Sequence, residues 1–323
     1  MYRYELEVLE KYGIHTDNLV RGRGAWICET EDGLRILQEY PGSVQKLIWQ
    51  KLIQERIEDS DIASTDMLLA NLDGELYSRD RAGTVYTLRR WYRGRECDTH
   101  AIADIRKGAR LLAQIHTVMK IPYQQQYAPP SLYEDCLRHN RELKRTARYL
   151  QKRRQKNAFE ELLADSMAEF IRQGEAAVAQ MDCIPQCSVP DGEVGVCHGD
   201  FTHHTLLFCT QKPVVVGFQK WSYEKQSADL YRYMRKILEK NDWNFQLFDQ
   251  MLKWYQDVRP LSREEWMDLC LRLCYPWKNW KLANYYMQSS KTMPPGKNME
   301  KMIKILKQQK NWCRFVENIT QTL

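Results

Sequence analysis

Long apolar runs are missing from this sequence. None approaches the ~18 residues that a membrane-spanning helix needs, so no membrane span is expected. The first residues, Met1-Tyr2-Arg3-Tyr4-Glu5, are polar and helical in pattern, so no secretory signal is expected and synthesis is read as cytoplasmic. Cys-x2-Cys pairs with histidine partners are also missing, which removes the usual zinc sites. The ten cysteines are scattered instead. Cys183/Cys187 and Cys270/Cys274 are each four apart. The second pair falls on an expected helix, where that spacing puts both thiols on one face. Reduced, mostly buried thiols are expected. A global charge bias is missing too. Lys and Arg number 48 against 42 Asp and Glu, a net +6. Arg138 to Lys156 alone holds nine basic residues and one Glu, or +8, which leaves −2 for the rest. A global basic balance would have suggested nucleic acid. One basic segment suggests either a solvated helix face or a site for an anionic partner.

What is present is a globular chain of 323 residues, 43% hydrophobic and 11% aromatic, long enough for two lobes with cores. Its organising stretch is Val196-Cys197-His198-Gly199-Asp200-Phe201-Thr202-His203-His204-Thr205-Leu206-Leu207. It reads as strand, tight loop and strand, with one carboxylate at the loop tip. A further strand, Val214-Val215-Val216-Gly217-Phe218, follows. An apolar hairpin presenting an Asp on a His-x-Asp loop is how kinase-like phosphotransferases hold a catalytic base.

Upstream, residues 2–13 carry Tyr4, Leu6, Val8, Leu9 and Tyr12 near helical spacing, and Gly13 ends that helix. Arg21-Gly22-Arg23-Gly24 opens a strand at Ala25 to Glu29; a lone Gly-x-Gly is a plain turn or a phosphate cover. Asp32-Gly33 is a hairpin turn before Leu34 to Gln38. Ser43 is expected to cap a helix to Ile57, with Val44, Leu47, Ile48, Leu52 and Ile53 as its apolar face. Met67 to Ala70, Leu76-Tyr77 and Val85 to Leu88 would complete an antiparallel sheet of about five strands. Ala109, Leu112, Ala113, Ile115 and His116 form an apolar helical stripe, and residues 131–181 read as two long helices.

The central loop resembles that of the aminoglycoside-phosphotransferase branch of the kinase-like fold: His-Gly-Asp-[Leu/Phe]-His-x-x-Asn, then Ile-Asp-[Phe/Trp]. His198, Gly199, Asp200 and Phe201 match; Thr205 stands at the Asn position and Gly217 at the second Asp. Gln38 stands where that family carries a phosphate-gripping Lys, and Trp91-Tyr92-Arg93-Gly94 corresponds to the hinge. The resemblance therefore puts Asp200 and His198 in the catalytic loop, and Gln38, Trp91, Thr205 and Gly217 at nucleotide and magnesium positions. It makes Glu55 the counterpart of the helix carboxylate that pairs with the Lys; with Gln38 opposite, a solvated Glu is expected. It makes His116 structural and Asp229, in Ala228-Asp229-Leu230, the group that holds the catalytic loop.

Three runs resemble a narrower group, the CotS-type spore-coat proteins of endospore-forming bacteria. These are Trp91-Tyr92-Arg93-Gly94-Arg95-Glu96-Cys97-Asp98, the segment from Asp229 to Trp243, and Tyr275-Pro276-Trp277-Lys278-Asn279-Trp280-Lys281-Leu282-Ala283-Asn284-Tyr285-Tyr286. The expected fold is α+β and two-lobed: an antiparallel-sheet lobe over 1–92, and a mainly helical lobe over 93–323 with the hairpin at 196–218.

Two functions follow as expectations. One is a degenerate kinase-like component of the spore coat, without cofactor, partnered by other coat proteins and by an anionic partner at 138–156. Its basis is the triple loss at Gln38, Thr205 and Gly217. The other is an ATP- and magnesium-dependent small-molecule phosphotransferase using Asp200 as base, with Glu224 or Asp229 as displaced metal ligands.

Overall fold

The structure is a computed structural model that describes residues 3–16, 19–22, 24–127, 129–181, 193–289 and 296–321. Cys183, Cys187, most of the loop feeding the central stretch and Arg23 lie outside the described residues.

The chain opens with α1 (Arg3–Glu10), β1 (Leu19–Gly22), β2 (Ala25–Thr30), β3 (Gly33–Glu39) and α2 (Gln45–Asp59). Next come β4 (Ser64–Thr65), β5 (Ser78–Arg79), β6 (Val85–Arg90), β7 (Arg95–Glu96), α3 (Ile102–Val118) and β8 (Lys120–Pro122). The long helices α4 (Leu132–Lys152) and α5 (Ala158–Met181) precede β9 (Glu193–Gly195), β10 (Leu206–Phe208) and β11 (Pro213–Val215). The remainder is helical: α6 (Ser227–Leu238), α7 (Phe245–Gln256), α8 (Arg263–Cys274), α9 (Trp277–Gln288) and α10 (Gly296–Thr320). The fold is thus α+β, antiparallel-sheeted at the start and mostly helical afterwards.

Two compact units are present. The first joins 1–127, 190–233 and 253–260; the second joins 128–189, 234–252 and 261–323.

In the first unit, an antiparallel sheet runs β1-β2-β3-β6-β5. Trp26 pairs with Leu37, and Leu37 with Leu88. Strand alternation then sorts side chains by face. Cys28, Leu37, Tyr86 and Leu88 form a core with Val8 and Leu9 of α1. Gln38, Thr87 and Arg89 occupy the opposite face. A second sheet, β4-β11-β10-β7, contains the central hairpin, with Leu206 opposite Val215. Leu207, Val214 and Val216 of this hairpin pack against Trp91 and Tyr92.

In the second unit, α4, α5, α9 and α10 share a core that includes Leu143, Leu163, Phe170, Tyr286 and Met302.

Several sequence expectations shift. Met67 to Ala70 makes only an isolated bridge, Leu68 to Arg89, and the sheet gains β1 instead. A short apolar run does not distinguish a strand from a buried loop. Leu76-Tyr77 gives way to β5, two residues later. The hairpin turn sits on Glu31-Asp32, and Gly33 already pairs with Thr30. Val214 to Phe218 is strand only to Val215, because Gly217 turns into a left-handed conformation at φ 94°. Ser43 does not cap α2: Val44 is the N-cap, and the Ser43 hydroxyl donates to the Gln45 side chain instead. Ile48, placed on the apolar face, is 66% exposed.

Candidate functional site

The central loop is held by a buried carboxylate. Asp229, in the first turn of α6, is fully buried and accepts the backbone N–H groups of His198 and Gly199. His116 Nε2 and Arg232 Nη1 each approach it at 3.4 Å. Burial would raise this carboxyl's pKa, but the His116 hydrogen bond and the Arg232 charge outweigh it and hold the value at about 2. His116 is fixed in turn by the Tyr255 hydroxyl at 2.7 Å from Nδ1.

His198 is buried and neutral. Its Nε2 donates to the Val216 carbonyl at 3.1 Å, and its Nδ1 accepts from the Asp200 N–H at 3.2 Å. A carbonyl only accepts and an amide N–H only donates, so the tautomer follows from the partners. Burial keeps the imidazole pKa below its ordinary value. Gly199 is required between these anchors. Its φ is +83°, and a Cβ there would lie 1.8 Å from the Lys220 carbonyl oxygen.

Asp200 stands at the loop tip with its carboxylate engaged: Lys220 Nζ donates to it at 2.7 Å. Thr205 is spent on the loop. Its hydroxyl accepts from the Thr202 N–H at 2.9 Å and lies 3.1 Å from the Asp200 and Thr202 carbonyls. Gly217 has no side chain, and its N–H donates to Asp66 at 3.0 Å. Trp91 packs on the hairpin core, and its backbone N–H donates to the Leu34 carbonyl at 2.9 Å.

Gln38 lies beside an arginine. The Arg89 guanidinium is 2% exposed and donates to both the Asp66 carboxylate and the Gln38 amide oxygen. With the Gln219 amide oriented to satisfy both its ends, its oxygen accepts from Arg89 Nη2 at 2.7 Å and its nitrogen donates to the Gly217 carbonyl at 3.2 Å. Asp66 is fully buried; burial raises its carboxyl pKa and the Arg89 charge opposes that. From α2, Gln54 Nε2 reaches both Asp66 Oδ1 at 3.2 Å and the Asp66 carbonyl at 2.9 Å. The α2 side chain facing this network is therefore Gln54. Glu55 lies on the outer side, with Lys51 at 3.7 Å.

The structure thus brings together His198, Asp200, Thr205 and Gly217 around the loop, with Gln38 joined to Gly217 through Arg89, Asp66 and Gln219. Glu224, one candidate for a displaced metal ligand, is taken by Arg232. Asp229, the other, is filled with hydrogen-bond donors. Among the described residues, no group of three or more His, Cys, Asp or Glu converges as metal ligands. Asp66, Arg89, Gln54, Gln219 and Lys220 were not anticipated. One signal existed for Arg89: in Val85-Tyr86-Thr87-Leu88-Arg89-Arg90, consecutive arginines must take opposite faces, so one of them requires a buried partner.

Architecture and loop together define the class: a kinase-like phosphotransferase fold. The structure is similar to an aminoglycoside phosphotransferase from Alicyclobacillus acidocaldarius at TM-score 0.80 and 15% identity, covering 98% of this chain and 95% of that one. Spectinomycin phosphotransferase APH(9)-Ia, in complex with ADP and spectinomycin, matches at TM-score 0.71 and 14% identity, covering 99% and 98%. A choline/ethanolamine kinase family protein from Mesorhizobium loti matches at TM-score 0.56 and 10% identity, covering 99% of each. The particular family is narrower: residues 5–319 match the model of the spore coat putative kinase YutH family, and the chain belongs to that family.

ATP and magnesium are what such a fold implies, and the residues here do not fit them. A magnesium ion needs oxygen ligands in octahedral array. At the two ligand positions, Gly217 offers no side chain and the Thr205 hydroxyl is already committed within the loop. At the phosphate-gripping position, Gln38 offers a neutral amide whose oxygen faces Arg89.

Proposed function

We propose that the protein is a degenerate kinase-like component of the spore coat, acting as a structural or interaction module without phosphoryl transfer. The observation that carries this reading is the buried network of Arg89, Asp66, Gln38 and Gln219. Phosphoryl transfer depends on positioned cations that neutralise developing charge. Here the cation beside Gln38, Arg89, is neutralised by a carboxylate of the same chain. The exposed Lys220 pairs with the Asp200 carboxylate at 2.7 Å. On this reading the protein works without a cofactor.

Its partners on this reading are other coat proteins, reached after cytoplasmic synthesis. No helix among the described residues is long and apolar enough to cross a membrane. An anionic partner at the basic segment is part of the same proposal. Arg141, Arg145, Arg148 and Lys152 on α4 are exposed, and among the described residues none has a carboxylate within ion-pair distance. Arg138, Lys144 and Arg153 are paired with Asp135, Glu175 and Glu160. The helix ends at Lys152, so Arg153 to Lys156 continue the basic run beyond it.

The second reading, an ATP-dependent phosphotransferase with Asp200 as base, is favoured by one observation: the scaffold of the catalytic loop is complete. Spores made with Asp200→Ala in place of the natural chain separate the two. The structural reading expects their resistance and coat protein composition to match those of unmodified spores and to differ from those lacking the protein. Spores of Asp200→Ala that match the deletion would favour the enzyme.

A further inference from the structure

A group of aromatic side chains in the first unit lies outside everything argued so far. Trp221 is 1% exposed and follows Lys220 directly. Tyr127 meets it edge-on at 6.1 Å between centroids, and Tyr223 does so at 5.4 Å. Tyr123 meets Tyr223 at 5.1 Å. The three tyrosines are half-buried around the buried indole.

Lys46, from the first turn of α2, reaches this group. Its Nζ lies 4.5 Å from the Trp221 ring centroid and 5.6 Å from that of Tyr127. It donates to the Trp221 carbonyl at 3.2 Å. Among the described residues, no carboxylate lies within ion-pair distance of it. An ammonium held by ring faces and one carbonyl, without a counter-charge, is recognised through the ring quadrupole and not through an ion pair. Burial lowers the Lys46 pKa below its ordinary value, in keeping with a partly desolvated amine.

We propose that Trp221, Tyr127, Tyr223 and Tyr123 form a recognition site for alkylammonium groups, and that Lys46 fills it as a tethered ligand of the same chain. The site accepts a primary or methylated ammonium on an alkyl stem. Filled by Lys46, it fastens the start of α2 to the segment that leaves Gly217. This inference is independent of whether the cleft is catalytic, because none of these rings belongs to the loop or to the Arg89 network.

Chemical rescue tests it. In Lys46→Ala, n-butylammonium chloride replaces the missing side chain. It should raise the melting temperature of the variant saturably, while n-butanol and sodium chloride at equal concentration do not, and while the unmodified protein responds to none. Adding Trp221→Leu to Lys46→Ala should abolish the rescue. An Ala variant that responds to butylammonium no more than to butanol and sodium chloride overturns the proposal. Should Lys46→Ala not fold, the unmodified protein supplies the test through amine labelling read by peptide mass. Lys46 should label several-fold more slowly than Lys220. Tetramethylammonium chloride should speed its labelling by competing for the rings, and sodium chloride should not. Labelling of Lys46 that is indifferent to tetramethylammonium overturns the proposal equally.

Discussion

Asp229 and Asp200 belong to one loop system and differ in almost every physical respect. Asp229 is fully buried, accepts two backbone N–H groups and has a pKa held at about 2. Asp200 is partly exposed at the loop tip, and its side chain answers to a single exposed lysine. The first carboxylate builds the loop and the second is displayed by it. On the proposed reading, the difference teaches that the supporting half of a catalytic loop can stand without the chemical half. The backbone N–H groups of His198 and Gly199 need an acceptor whether or not phosphate is ever transferred. Nothing in the fold requires a side chain at position 217.

The largest expected effect comes from the buried network of Arg89, Asp66 and Gln38. Arg89→Ala leaves Asp66 buried and unpaired, and removal of one partner of a buried ion pair costs about 3–5 kcal/mol. Urea unfolding of the variant measures it. A loss below about 1 kcal/mol, the scale of an exposed pair, would remove the network from the account.

Next in size is Asp229→Ala, which strands two buried N–H donors at a cost of about 1–3 kcal/mol or more. Its pH dependence has a definite sign. The folded carboxyl, at about 2, lies below the ~3.9 of an unfolded Asp, so its stabilisation is present above about pH 4 and is lost as pH falls through 2. Acid titration of stability should be flatter between about pH 4 and 2 for Asp229→Ala than for the unmodified chain. Parallel titrations would show that Asp229 is not the group holding the loop.

Asp200→Ala should cost less than ~1 kcal/mol, as for an exposed ion pair. A loss as large as that of Asp229→Ala would erase the distinction between the two carboxylates.

The smallest expected effect on stability lies at α4. Reversing Arg141, Arg145 and Arg148 to Glu should change melting little, since surface substitutions fall within about ±0.5 kcal/mol. Binding of an acidic polymer such as poly-glutamate should weaken steeply with salt in the unmodified chain and disappear in the variant. Salt-independent binding, or none, would leave α4 a solvated face.

How much of this was legible in the sequence follows from the range of the interactions. The pairing of Leu206 with Val215, the α3 stripe ending at His116 and the anchoring role of Asp229 depend on apolar periodicity and on a contiguous motif, and the structure shows them, while the expected lead-in strand at Val196-Cys197 is reduced to a bridge between Cys197 and Ser222. The Ser43 cap fails, because the Ser43 hydroxyl is engaged by Gln45, a local competition that propensity does not resolve. Glu55, opposite Gln38, was expected to be solvated, and it does lie on the outer side beside Lys51; one residue of helical rotation gives the inward role to Gln54. Arg89 and Asp66 are 23 residues apart, on a strand and in a connecting segment, and only tertiary register brings them together. The Lys46 contact with Trp221 spans 175 residues and has no local signature at all.

The central claim is that the chain's own groups have replaced the cofactor's. Isothermal calorimetry of the unmodified protein with ATP and magnesium tests it most directly. The account predicts no heat of binding at micromolar to sub-millimolar ATP, with magnesium or without it. Micromolar magnesium-dependent binding, lost in Asp200→Ala and accompanied by ATP turnover, would contradict it.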